Sequence, residues 1–173
     1  MNQVTKLYNE WIKLKDVLRA GWIQRNIGLD RTESVGDHVF SCAMLGWRII
    51  EDKKLNIDLL QVLKILLIHE LGEIYIGDLT PADPVSREDK YKMEYDAIAQ
   101  LSKSVGMPDL LDLWLEFEAM QTEESRFAKK IDRLECVMQA KEYAKRANMP
   151  ALYDEFYRTA KNQIGDLDEY LEE

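Results

Sequence analysis

The residues with chemistry in them concentrate in one stretch, positions 65–81, which reads ILLIHELGEIYIGDLTP. It holds His69, Glu70, Glu73 and Asp78 within ten positions. An imidazole and three carboxylates set into an apolar run cost free energy unless pairing or a cation compensates them. The chain has two histidines, and the second, His38, also sits beside an acid, Asp37. His38 and His69 fall on different expected helices, so packing has to bring them together. Glu70 adjoins His69. Asp132 is the acid that a third helix can add, because it interrupts the otherwise apolar stripe of FAKKIDRLECVM. Two imidazoles and two carboxylates make a mixed nitrogen and oxygen set that suits Mn, Co, Fe, Ni or Zn better than Ca or Mg. Each residue taken singly has a plainer reading, as a hydrogen-bonded structural histidine or as an aspartate paired with a neighbouring Arg or Lys. H-E-L-G-E also begins like the zinc-protease pattern H-E-x-x-H, but Glu73 stands where the second histidine is required, so that reading fails on its defining ligand.

The elements that must position these residues read as helices. Leu7, Trp11, Leu14, Val17 and Leu18 recur at helical spacing, which predicts a helix from Val4 to Ala20 that Gly21 ends. Residues 21–38 are rich in Arg (Arg25, Arg31) and lack periodicity, so they read as a loop. Thr32 or Ser34 then caps a helix running to about Asp52, with Asp37 in capping-box position and His38 in the first turns. Asn56 or Asp58 caps a third, whose body LLQVLKILLI is apolar nearly all round and is expected to be buried on most sides. His69 ends it, and Gly72 and Gly77 turn the chain into a loop with Asp78, Thr80 and Pro81. Further helices are expected from Ser86 to about Val105, from Pro108, from Thr122 to about Asn148, and from Pro150 to about Leu171. No strand alternation, repeat or low-complexity linker interrupts them. The expectation is an all-α bundle of six to seven helices, a single domain over 1–173.

The 173 residues carry 46% hydrophobic and 32% charged side chains, the balance of an ordinary globular domain. The net charge of −9 argues against a nucleic-acid partner, which needs a broad basic surface. It leaves room for a small anion, since a metal and a few arginines reverse the sign locally. Two cysteines without a C-x-x-C pair suggest a reducing compartment, and neither a signal peptide nor a membrane span is visible. The expected location is the cytoplasm. Trp11, Trp47 and Trp114 are expected in the core or at subunit contacts, and Trp22, in the Arg-rich loop, is a candidate to flank a base or sugar.

Three ordered blocks, RTESVGDH (31–38), IHELGEIYIGDLTP (68–81) and K-x-D-x-L-E (130–135), resemble the HD-domain metal-dependent phosphohydrolases, in particular the small 5'-deoxynucleotidase branch. The resemblance extends over about 22–143. It implies His38, His69, Glu70 and Asp132 as ligands of a divalent metal. It gives Glu73 and Asp78 roles in positioning or activating water, with Asp78 alternatively protonating the leaving oxygen. Phosphate or sugar contacts fall to Arg25, Arg19 and Trp22, and to Thr80 in the loop beyond Asp78. The implied substrate is a (deoxy)ribonucleoside 5'-monophosphate, and the implied assembly a homodimer. One position departs from the family: Glu70 follows His69 where the name-giving aspartate stands. Its extra methylene moves the carboxylate, which leaves a nucleotide-binding protein with a degenerate metal site, or a hydrolase of another nucleotide phosphoester, as alternatives.

Overall fold

The computed structural model describes residues 2–28, 30 and 32–172; Arg31 of the loop and Glu173 of the acidic tail lie outside them. The elements are α1 (Gln3–Trp11), α2 (Ala20–Ile23), α3 (Val35–Lys53), α4 (Leu59–Ile68), α5 (Glu73–Ile76), α6 (Arg87–Val105), α7 (Asp109–Ala119), α8 (Glu123–Ala147) and α9 (Pro150–Ile164). Two 3₁₀ stretches, Ile12–Lys15 and Gly165–Leu171, follow α1 and α9. The architecture is all-α. The long helices are those that periodicity predicts, whereas α2 and α5 are single turns, too short to show a period.

Caps set the boundaries. The Ser34 hydroxyl accepts the Asp37 N–H (3.1 Å), and Asp37 in return accepts the Ser34 N–H (2.9 Å), so α3 begins with the expected reciprocal pair. Asp58 accepts the Gln61 N–H (3.1 Å) to open α4, and Ser86 accepts the Asp89 N–H (3.0 Å) to open α6. Thr122 and Ser125 form a full capping box at α8, and Asn148 ends that helix in the left-handed conformation.

The first expected helix is broken. Helical geometry stops at Lys15, and Val17 to Arg19 run extended beside 33–35. The Val35 N–H donates to the Val17 carbonyl (2.7 Å), the Arg19 N–H donates to the Glu33 carbonyl (3.1 Å), and Leu18 and Ser34 form an antiparallel bridge. Backbone pairing across sixteen or so residues overrides the local apolar period there. Gly21 therefore lies inside α2 and does not end a long helix. The last expected helix also divides: Gly165 adopts φ +58°, which stops α9 and starts the 3₁₀ tail.

The described chain forms two compact units, 1–40 with 67–116 and 41–66 with 117–173. In the first, α6 packs against α1 and α5, and Ile98, Leu101, Val105 and Leu110 are buried. Trp114 is buried against the rings of Tyr91 and Tyr95, at centroid distances of 5.1 and 6.3 Å. In the second, α8 packs along α9 and the 3₁₀ tail and buries Ile131, Leu134, Val137, Ile164 and Leu167. Burying side chains of this size stabilises by about 1.5–3 kcal/mol each. Lys130 pairs with Asp166 (2.8 Å), and Lys141 donates to the Leu171 carbonyl (2.7 Å), which fixes the tail. Gly46 lets α3 approach α4 closely, since a Cβ there would meet Leu66 Cδ1 at 2.8 Å.

α4 buries Val62, Ile65, Leu66 and Ile68 but keeps one open face, on which Leu60 and Leu67 are 62% and 51% exposed. With Lys64 they lie at i, i+4 and i+7, one outward face. Trp114 is a core residue; Trp11 and Trp47 are exposed, which excludes the core from the two places expected for them, core or subunit contact.

Candidate metal centre

Within the first unit, three candidate ligands converge. His38 occupies the first turn of α3, its N–H donating to the Ser34 carbonyl (3.1 Å), and its ring is fully buried. His69 follows the last residue of α4 and is also buried. The two ring centroids are 5.5 Å apart with their planes at 58°. Glu70 Oε1 lies 3.7 Å from His69 Nε2. One ligand atom from each of His38, His69 and Glu70 falls within 4.8 Å of the others. Ligands on opposite sides of a bound zinc-sized ion are separated by about 4 Å, so the spacing suits one shared cation. Asp132 stands on α8 in the second unit, buried, with Arg133 Nε 3.8 Å from its carboxylate.

Glu73 opens α5 and Asp78 follows it. The Glu73 N–H donates to the Glu70 carbonyl (3.0 Å), which winds the chain from the ligand pair directly into α5. Its side chain is buried, and its Oε2 has no hydrogen-bond partner among the described residues. Burial, followed by the charges of Glu70 and Asp78, holds the Glu73 carboxyl well above the usual carboxylate range, against the pull of Arg19 and Lys90. Gly77 then turns the chain with φ +76° and ψ 171°, a combination essentially restricted to glycine. That turn delivers Asp78 to the N-terminus of α2. There Asp78 Oδ2 accepts the Ala20 N–H at 2.5 Å, and Oδ1 lies 3.4 Å from the Arg19 guanidinium.

Arg19 thus bridges two acids, because the same nitrogen is 3.8 Å from Glu70 Oε1. Arg25 folds back along α2 and donates to the Gly21 carbonyl (2.9 Å). The Thr80 hydroxyl is 2.8 Å from Asp83 Oδ2 and 3.1 Å from Gln24 Oε1, while the Thr80 N–H donates to Asp83 (2.7 Å). Trp22 is only 2% exposed, and its indole N–H donates to Glu33 (2.7 Å). It is part of the core beneath α2 and not an open platform.

The donor set fits a divalent cation. Two buried imidazoles and a carboxylate share one small volume, and the unpartnered Glu73 oxygen with its raised proton affinity marks an excess of negative charge that a cation relieves.

Comparison with known proteins places the chain as a whole. The sequence matches the family described as HD domain over residues 12–170. The chain belongs to the HD-domain family. The HD-domain protein is 39% identical over 142 residues to the 5'-deoxynucleotidase HDDC2 of Dictyostelium discoideum, covering 77% of this chain and 73% of that one. It is 34% identical over 148 residues to the 5'-deoxynucleotidase HDDC2 of Mus musculus, covering 84% of this chain and 72% of the relative. Among solved structures, a predicted metal-dependent phosphohydrolase of Magnetospirillum magnetotacticum superposes with a TM-score of 0.73 at 25% identity, covering 98% of this chain and 89% of that one.

Three parts of this candidate site escape sequence reasoning. They are the Ala20 N–H, which is backbone, the Glu33 carboxylate under Trp22, and Lys90. Lys90 reads as one more charge in REDKYK, yet its ammonium donates to the Leu79 carbonyl (2.8 Å) behind Asp78.

Proposed function

We propose that the protein is a metal-dependent phosphohydrolase that converts (deoxy)ribonucleoside 5'-monophosphates to nucleoside and phosphate. The observation that carries this reading is the convergence of His38, His69 and Glu70 ligand atoms within 4.8 Å, one turn ahead of a buried, proton-avid Glu73. His38, His69, Glu70 and Asp132 would hold the cation, for which Mn, Co, Fe, Ni or Zn suits the donors. When bound, it supplies positive charge against the phosphoryl oxygens and the attacking water.

The chain's own groups divide the remaining work. Glu73 Oε2 takes a proton from the water whose oxygen bonds to phosphorus, while the bond from phosphorus to the 5'-oxygen breaks. The proton held at Glu73 then passes to the departing 5'-oxygen, giving nucleoside and inorganic phosphate with the carboxylate restored. A positioned base contributes about 10²–10⁴-fold. Asp78 is already engaged with Ala20 and Arg19, which favours a positioning part over proton donation. Arg19 and Arg25 supply charge for the phosphate, and Thr80 a hydroxyl at the rim. Trp22 acts from the core, through Glu33, on the turn that carries both arginines.

The reading extends to a single HD-type domain over 1–173, because one family match spans 12–170. It extends to a homodimer, supported by the exposed apolar row Phe40, Met44 and Trp47 along α3. No helix among the described residues is long and apolar enough to cross a membrane. Buried thiols at Cys42 and Cys136 fit the reducing cytoplasm. A second reading, nucleotide binding without turnover, draws on Glu70 replacing the family's aspartate. Phosphate release from a panel of deoxy- and ribonucleoside monophosphates and triphosphates separates the two. Turnover of monophosphates, deoxy forms foremost, is expected; tight binding with no release contradicts it.

A further inference from the structure

We infer that Lys90 is a positioning residue for this reaction, holding the loop that carries Asp78 and Thr80 through the Leu79 carbonyl; the inference rests on the hydrolase reading. Lys90 is the fourth residue of α6, so its charge sits at the helix end where the dipole disfavours a cation. Something has to offset that placement, and the surroundings do. Its ammonium donates to the Leu79 carbonyl at 2.8 Å and lies 3.5 Å from Glu94 Oε1, on the next turn of the same helix. The side chain is 35% exposed, and the charges of Glu94, Glu70, Glu73 and Asp78 act on its ammonium. Burial pulls its proton affinity down, but Glu94, Glu70, Glu73 and Asp78 together hold it above the usual lysine range.

The consequence is geometric. Leu79 lies between Asp78 and Thr80, and Gly77 immediately before them has the backbone freedom of a hinge. On its N-terminal side the loop is tied to α5 by the Gly77 N–H, which donates to the Glu73 carbonyl (2.9 Å). Asp78 fixes it to α2, Asp83 caps Thr80, and Lys90 fixes its middle carbonyl to α6. The same ammonium also offsets the charge of Glu73 and Glu70, a part it shares with Arg19. A small displacement of positioned groups costs up to about 100-fold in rate.

The test uses the full-length metal-loaded protein and a deoxyribonucleoside monophosphate. K90M is expected to lower kcat by about 10- to 100-fold with KM changed less than about threefold, and K90R to recover most of the loss. K92M, an exposed neighbour paired with Asp96, serves as control and stays at the parent rate. Unchanged kcat in K90M, a change confined to KM, or a K90R as slow as K90M would each overturn the inference. If the parent releases no phosphate, the hydrolase reading has failed, and amide exchange reads the positioning separately. Faster exchange over 78–85 in K90M but not K92M upholds it, and identical exchange overturns it.

Discussion

Asp78 clamps Ala20: its Oδ2 accepts the Ala20 N–H at 2.5 Å, while its Oδ1 faces the Arg19 guanidinium at 3.4 Å. One carboxylate therefore joins two chain segments 58 residues apart and aims Arg19 at Glu70. Removing it leaves the Ala20 N–H at the helix N-terminus without its acceptor and takes from Arg19 one of its two carboxylates. D78A is expected to lower stability by about 1–3 kcal/mol in urea denaturation, and D78N, which retains an acceptor for Ala20, to lose less. Equal losses in the two would show that the hydrogen bond to Ala20 contributes nothing.

Glu73 and Asp132 are expected to fail differently. E73A keeps its metal but loses turnover by about 10²–10⁴-fold, whereas D132A loses both. Metal analysis of the purified variants beside their kcat checks this. An E73A variant with full turnover removes the base from the account.

The proton affinity of Glu73 predicts a pH-dependent stability in metal-stripped protein. Its folded-state pKa lies well above 4.5, so between 4.5 and that value the folded chain binds the proton and the unfolded chain has released it. Stability therefore falls as pH rises through this window. E73Q, which cannot ionise, is expected to melt above the parent at neutral pH and level with it below pH 4.5. A parent that outlasts E73Q at neutral pH would contradict the assigned environment.

Gly77 is a backbone requirement and not a space requirement. A Cβ there would meet no atom within 4 Å, yet φ +76° with ψ 171° is hostile to side chains. G77A is expected to cost about 1–3 kcal/mol. G77N should do no better, because asparagine tolerates the left-handed helical region and not this one. Chemical denaturation decides, and a neutral G77A would mean the turn relaxes without loss.

The sequence carries the ligands and most of the helices because both are local facts. His38, His69 and Glu70 are conspicuous as rare or costly types in apolar settings, and Ser34, Asp58, Ser86 and Thr122 announce their helices as caps. What it hides depends on distant partners. The break after Lys15 arises from pairing with 33–35, and α2 from the Asp78 clamp, so no window around either segment contains the cause. Trp22 looks available in the chain and is buried in the fold for the same reason. The apolar body of α4 likewise predicts burial, because sequence alone does not distinguish a core face from an outward one such as Leu60 and Leu67.

The central claim is that a metal held at His38, His69 and Glu70 enables phosphate release. The most direct measurement is phosphate release from a deoxyribonucleoside 5'-monophosphate by purified protein, before chelation, after chelation, and after returning Mn²⁺, Co²⁺ or Zn²⁺, with bound metal quantified at each stage. The account predicts turnover that disappears with the metal, returns with it, and is absent in H69A. Turnover that survives complete metal removal, or a fully loaded protein that releases no phosphate, would contradict it.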